Sequence, residues 1–430
     1  MFDTKIFLYL DGSSLNWETK ITIITVLILL TMAFMIVTYI CVFKKDKFTM
    51  KMQRKCDESQ NIIELQLRRN SNSYAQQFEG KMEDFDSNQD LKNQVHKLPY
   101  NKNREIKRSR FKIEVEIGAG NFGRVFKGTV FGLLDSTSTT PVAIKSIKET
   151  GNSSDIIDLL AEIKLMSQIS PHPNLVSMIG SCSSDLQEIG DLWLLIEYCE
   201  LGDFKKFLQE NKTDILTNNM NKTLNSRCLI NWLHDIAKGM QYLSESKIMH
   251  GDLSARNVLL ANNPLKNGPP LAKIADFGLA KHFYDYVKYQ KNTRILVPWK
   301  WMALEFLKFN YFTLTSDVWS FAVLVWEIFS FGGVPYGQQQ YEEILERLET
   351  GYRLSCPNDV KEISSWNPEI LYNTISKHCF VAEPESRASF IDVVQIIEKH
   401  LTSKELSNYQ KMKNIYQNSL AEKYLTFARS

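Results

Sequence analysis

The most informative residues in this sequence are those that can handle phosphate. The stretch Ile117-Gly118-Ala119-Gly120-Asn121-Phe122-Gly123-Arg124-Val125 places glycines at 118, 120 and 123. Without a Cβ, the amides of such a loop can approach phosphate oxygens closely. Lys145 closes the run Val142-Ala143-Ile144-Lys145. A lysine inside an apolar strand needs an anionic partner, because an unpaired buried ammonium is costly. Glu162, seventeen residues on, lies in a helical pattern and can supply it. Farther along, Asp252 and Asn257 stand five apart in His250-Gly251-Asp252-Leu253-Ser254-Ala255-Arg256-Asn257, a carboxylate base and an amide oxygen on one loop. Asp276, in Ala275-Asp276-Phe277-Gly278, offers oxygen to a hard cation. A glycine loop alone is weak evidence, and it does not suit a dinucleotide turn, because strand rather than helix follows it. The whole set, in this order, points to chemistry on a nucleotide phosphate.

Those residues need elements to hold them. Residues 111–117 alternate apolar and polar types, and 124–130 and 142–148 are also strand-like. Residues 155–168 carry Ile156, Leu159, Leu160 and Ile163 at helical spacing. Residues 193–198 read as a short buried strand, and 272–275 as another before Asp276. The later pattern predicts helices over 203–209, 228–245, 316–329, 340–349, 370–380 and 389–400. Strands first and helices afterwards predict an α+β domain of two lobes.

The 430 residues carry a formal net charge of +2, which offers no basic excess for nucleic acid. Seven scattered cysteines, with no CxxC pair, suit a reducing compartment. Residues 21–43 are uncharged and apolar. As a helix they span roughly 35 Å, enough to cross a bilayer once. Lys44, Lys45, Lys47, Lys51, Arg54 and Lys55 follow, which puts the C-terminal side in the cytoplasm. The expected organisation is an extracellular segment 1–20, a transmembrane helix 21–43, a juxtamembrane linker 44–110, a catalytic domain 111–402 and a polar tail 403–430. An outer segment this short makes a soluble extracellular ligand doubtful.

From residue 98 to about 400, these motifs resemble a eukaryotic protein kinase of the receptor tyrosine type. The resemblance implies a bilobal fold, with an antiparallel sheet plus one helix in the small lobe and a mostly helical large lobe. It implies ATP and Mg2+ as cofactors, with Mn2+ as an alternative. Ile117, Gly118, Gly120 and Gly123 would cover the phosphates, and Lys145, paired with Glu162, would bind them. Asp252 would accept the proton of the substrate hydroxyl, with Asn257 and Asp276 on the metal ions. Val125, Ala143 and Leu259 would sandwich adenine. Glu197 to Cys199 would form the hinge, after Ile196 as gatekeeper, and Asp203 would reach the ribose. Arg256 in the catalytic loop, with Pro298-Trp299-Lys300-Trp301, resembles tyrosine rather than serine/threonine kinases. Glu305 and Arg387 would brace the large lobe as an ion pair. Leu98-Pro99-Tyr100 resembles the juxtamembrane stretch of platelet-derived and fibroblast growth factor receptors, with Arg104 in place of their tryptophan. The short outer segment resembles instead the short-ectodomain receptor-like tyrosine kinases of nematodes.

Tyr284, Tyr286 and Tyr289 are candidate autophosphorylation sites, and Tyr100 is a weaker one. Gly251 stands where the family has an arginine that neutralises a phosphorylated activation loop. That departure predicts activity less dependent on loop phosphorylation. Leu304 and Ala322 replace a proline and a glycine. The implied partners are tyrosine-containing proteins and a single-pass membrane, with no nucleic acid. Homodimerisation through the membrane helix is open, although no GxxxG supports it. The competing readings are a membrane-tethered pseudokinase scaffold and a serine/threonine or dual-specificity kinase.

Overall fold

The computed structural model describes residues 98–120, 123–133, 137–147, 153–183, 192–216, 223–266, 268–276 and 298–418. The apolar segment 21–43, the basic flank after it, and Tyr284, Tyr286 and Tyr289 lie outside the described residues. Among the described residues, no helix is long and apolar enough to cross a membrane.

The smaller lobe is a five-stranded sheet with order β1-β2-β3-β5-β4. Its strands are β1 (Phe111–Gly120), β2 (Gly123–Phe131), β3 (Thr139–Ser146), β4 (Met178–Cys182) and β5 (Trp193–Glu197). Every pairing is antiparallel. Helix α1 (Ser153–Gln168) falls between β3 and β4. Phe111, Val130, Val142, Ile144, Trp193 and Leu195 fill one core. Alternation in these strands sends every second side chain into it.

The turn from β1 to β2 depends on one glycine. Gly123 has φ 145°, and a Cβ there would lie 2.1 Å from the Ser146 carbonyl oxygen on β3. Only a residue without a side chain fits.

After the two-residue strand β6 (Gly202–Asp203) the chain becomes helical: α2 (Phe204–Leu216) and α3 (Arg227–Glu245). A small sheet of order β6-β7-β8 follows, formed with β7 (Val258–Ala261) and β8 (Leu271–Ile274). The larger lobe continues with α4 (Leu304–Phe309), α5 (Leu314–Phe329), α6 (Tyr341–Glu349), α7 (Pro368–Cys379), α8 (Phe390–Glu398) and α9 (Ser403–Tyr416). In α3, Leu229, Trp232, Leu233, Ile236, Met240 and Leu243 recur every three or four residues and are buried. Helix α5 is buried almost all round and is the centre of the lobe. Leu304 and Ala322 are both buried, so neither departure is excluded by packing.

The predicted elements are present, most with small changes at their ends; the helix expected over 203–209 starts at Phe204 and runs on to Leu216. Strands β4, β6 and β7 and helices α4 and α9 come in addition. Segment 98–110 is also part of the packed lobe. Leu98 and Tyr100 are buried, and Tyr100 joins the cluster of Leu159, Leu160 and Ile163. The Tyr100 hydroxyl lies 2.7 Å from Ser181 Oγ and donates to Glu105. Tyr100 is therefore not available for modification in this conformation. Arg104 donates to the Met178 carbonyl at 2.8 Å, and the Ile106 amide to the Ser181 carbonyl at 2.7 Å.

Candidate active site

Lys145 lies on β3, paired with Val125 of β2 and Leu194 of β5. Its Nζ donates to both carboxylate oxygens of Glu162 on α1 at 2.8 Å, and to Asp276 Oδ1 at 2.9 Å. Burial by itself would lower the Lys145 pKa, but the charges of Asp276 and Glu162 outweigh it and hold the ammonium above its usual value. Lys145 keeps Asp276 below the usual carboxylate range. In Glu162 burial dominates and raises the pKa, against the pull of Lys145. The Asp276 side chain is 49% exposed, so part of this carboxylate stays open. Its backbone is left-handed, with φ 53°.

Asp252 sits on the loop after α3 and is buried. Arg256 Nη2 donates to Asp252 Oδ1 at 2.5 Å. Asn257 Nδ2 donates to Asp252 Oδ2 at 2.8 Å and to the Asp252 carbonyl at 2.7 Å. The amide nitrogen of Asn257 is thus committed to the loop. Burial pushes the Asp252 carboxyl up, and Arg256 and Asn257 offset this only in part. A raised pKa makes the carboxylate a better proton acceptor.

The two halves of the site are joined by the backbone. His250 Nε2 donates to the Ala275 carbonyl at 3.0 Å, and the Ala275 amide to the Asn257 carbonyl at 2.8 Å. The residue before Asp276 is thereby fastened to the loop that carries Asp252. From below, Asp317 of α5 accepts the His250 amide at 2.7 Å and the Gly251 amide at 2.9 Å. Gly251 has φ 81°, a turn that glycine makes without steric cost.

A second carboxylate of α5 braces the neighbouring loop. Glu327 Oε2 accepts the Ala255 amide at 2.9 Å and the Trp301 indole N–H at 2.8 Å. The Arg256 guanidinium lies 5.0 Å over the Trp301 ring. Burial pushes the Glu327 carboxyl up to about 7. From sequence, Asp317 stood out only as part of the run 316–321 that resembles the family pattern, and Glu327 not at all, although two carboxylates inside an otherwise apolar helix were a usable signal.

The other expected site residues lie around this centre. Val125 and Lys145 are register partners, Ala143 faces Ile196 of β5, and Leu259 is on β7. Glu197 and Cys199 follow at the end of β5, where the Glu197 amide donates to the Ser177 carbonyl at 2.9 Å. Asp203 Oδ1 accepts the Lys206 amide at 2.9 Å and so caps α2. Ile117 and Gly118 lie on the exposed part of β1, with Gly120 at its end. The expected ion pair is present: Arg387 meets both oxygens of Glu305, at 2.8 and 2.6 Å.

A strand lysine fixed by two carboxylates, with an acid–amide loop beside it, is a candidate phosphate-handling site in a two-lobed domain. The family model described as protein tyrosine and serine/threonine kinase matches residues 111–397, and the chain belongs to that family. It is 34% identical over 316 residues to a fibroblast growth factor receptor of Ciona intestinalis, covering 71% of this chain and 40% of that protein. The fibroblast growth factor receptor of Hydra vulgaris is 33% identical, over 71% of this chain and 35% of its own length. Fibroblast growth factor receptor 1 of Xenopus laevis is 32% identical, over 73% and 37%. The matched region is thus well under half of each of these relatives.

Proposed function

We propose that this protein is a membrane-anchored protein-tyrosine kinase. In this reading residues 21–43 cross the bilayer once, with residues 1–20 outside and domain 111–402 in the cytoplasm. The domain transfers the γ-phosphate of ATP to tyrosine hydroxyls of proteins. The observation that carries the reading is the Lys145 ammonium held by Glu162 and Asp276 on one side of a site whose other side holds Asp252.

Lys145 is the fixed cation for the nucleotide phosphates. Glu162 keeps it charged and aimed, so no reorganisation is needed when the phosphate arrives. Gly118, Gly120 and Gly123 let the β1–β2 backbone close over the same phosphates. Val125, Ala143 and Leu259 offer apolar surface to the base, with Glu197 and Cys199 at its edge. The oxygen donors Asp276 and Asn257 fit a hard cation: Asp276 is part-exposed, and Asn257 has turned its nitrogen towards Asp252. Magnesium bound there would neutralise charge on the phosphate oxygens. Asp252 receives the phenolic proton as the tyrosine oxygen attacks. Arg256 holds Asp252 in place and stacks on Trp301, beside which a substrate ring would lie.

The test uses the full-length chain in detergent or vesicles, with Mg-ATP and mixed tyrosine and serine peptides. The expected result is phosphotyrosine that disappears in Asp252→Asn. Phosphoserine would favour the serine/threonine reading. No phosphate on either peptide, with ATP still bound, would favour the scaffold.

A further inference from the structure

Before it enters β1, the chain crosses one face of the small-lobe sheet from edge to edge. The edge strands are β4 and β1. At the first edge, the Ile106 amide donates to the Ser181 carbonyl of β4 at 2.7 Å. At the second, Phe111 begins β1. Ile106 and Phe111 are both buried in the cluster of Val142, Ile144 and Trp193, so 106–111 forms a strap over that core. The strap lies close because β4 has a glycine beneath it. A Cβ on Gly180 would come within 2.5 Å of Ile106 Cδ1 and 2.7 Å of the Arg104 carbonyl oxygen.

The outer side of this strap is strongly basic. Lys107-Arg108-Ser109-Arg110-Phe111-Lys112 holds four cations and no acid. Lys107 and Lys112 are exposed, and Arg108 and Arg110 are half-buried. Both arginines are already held in place. Arg108 Nη1 donates to the Phe111 carbonyl at 3.1 Å, and its guanidinium lies 4.7 Å over the Phe111 ring. Arg110 Nη2 donates to the Gly132 carbonyl at 2.7 Å and to the Phe131 carbonyl at 3.3 Å. Fixed side chains have little rotamer freedom left to lose on binding. Phe131 itself, beside Arg110, is 42% exposed. The acids nearest in sequence are engaged elsewhere. Glu105 accepts the Ser183 amide at 2.7 Å, and Glu114 accepts the Thr129 hydroxyl at 2.5 Å.

We infer that residues 107–112, together with Phe131, form a docking surface for an anionic lipid leaflet. The inference rests on the membrane-anchored reading above. Lysine and arginine at a protein surface are drawn to anionic headgroups, and an aromatic ring among them settles at the headgroup boundary. Residues 21–43 and the strap belong to one chain, so a bilayer holding the first presents its surface to the second at high effective concentration. The contact also leaves the nucleotide side open. Phe111 and Gly120 stand at opposite ends of β1, about 30 Å apart at the usual strand rise. The leaflet therefore meets the lobe far from the glycine turn that would cover the phosphates.

The test places the full-length chain in nanodiscs of phosphatidylcholine, alone or with about one-third phosphatidylserine. Amide hydrogen exchange is followed over 105–113 and 129–133 in wild type and in Lys107→Glu/Lys112→Glu. The expected result is exchange at least threefold slower in both segments with phosphatidylserine. The protection should vanish in the double variant and in about 1 M salt, where charges are screened within about 3 Å. Equal exchange in the two lipids overturns the inference. So does protection that survives the double variant, because other basic residues would then carry the contact. Equal protection by soluble polyglutamate in phosphatidylcholine discs also overturns it, in favour of an acidic protein partner. Should the variant melt more than 1 °C below wild type, the salt series on the wild-type chain decides alone. A chain that never enters a disc would sink the proposed span. Its sedimentation with phosphatidylserine vesicles, and the loss of that sedimentation in the variant, would still report the patch separately.

Discussion

Replacing Arg387 by methionine should cost this domain more stability than almost any other single change. The guanidinium meets both oxygens of Glu305, at 2.8 and 2.6 Å. It also donates to the carbonyls of Thr315 at 3.0 Å, Val381 at 2.8 Å and Ala382 at 3.2 Å. The two side chains are 0% and 7% exposed, so water cannot take over these bonds. Glu305 would keep only Ser316 Oγ, at 2.6 Å, and would remain a buried carboxylate without its cation. Breaking a buried pair from one side costs about 3–5 kcal/mol. At roughly 2 °C per kcal/mol for a domain of this size, the melting midpoint should fall by about 6–10 °C. The assay is thermal unfolding followed by circular dichroism, with Glu305→Leu/Arg387→Met beside the single variant. The double variant removes both charges and should recover part of the loss, because apolar replacement of a buried pair is often close to neutral. A single variant melting within 1 °C of wild type would refute the reasoning. So would a double variant less stable than the single one.

Three further outcomes are expected. Gly123→Ala should raise the KM for ATP at least tenfold in a peptide kinase assay, because its Cβ would meet the Ser146 carbonyl at 2.1 Å; an unchanged KM would show that the turn relaxes freely. With Gly251 in place of an arginine, Tyr284→Phe/Tyr289→Phe should lower kcat by less than tenfold, and a loss of 100-fold would exclude independence from loop phosphorylation. Burial raises the Glu327 pKa to about 7, so the folded state binds more protons than the unfolded one between the unfolded carboxylate pKa and about 7. Stability from this group is therefore fully present at acid pH and falls as pH rises through that window; Glu327→Gln should flatten this slope in melting midpoints between pH 5 and 8, and an unaltered slope would show that Glu327 does not titrate there.

Much of the candidate site was legible because its chemistry is local in sequence. A glycine turn, a lysine in an apolar strand and an acid five residues before an amide each announce a constraint that few other residue types satisfy. The main strands and helices were legible from period alone, since Leu229, Trp232, Leu233 and Ile236 repeat as a buried helix face must. What sequence could not assign were the groups that act through others. Asp317 and Glu327 are far in the chain from the amides they hold, and only folding brings them within 3 Å.

By itself, then, the sequence determined the kind of domain and the residues proposed to meet the phosphate, because those depend on residue type and short spacing. Tertiary structure alone decided that Tyr100 is buried, that Arg104 grips the Met178 carbonyl, and that a polar tail lies as a helix behind the hinge. Each of those rests on a few contacts between distant segments. Such contacts leave no periodic trace, since one buried tyrosine on a polar helix reads the same whether it is docked or free.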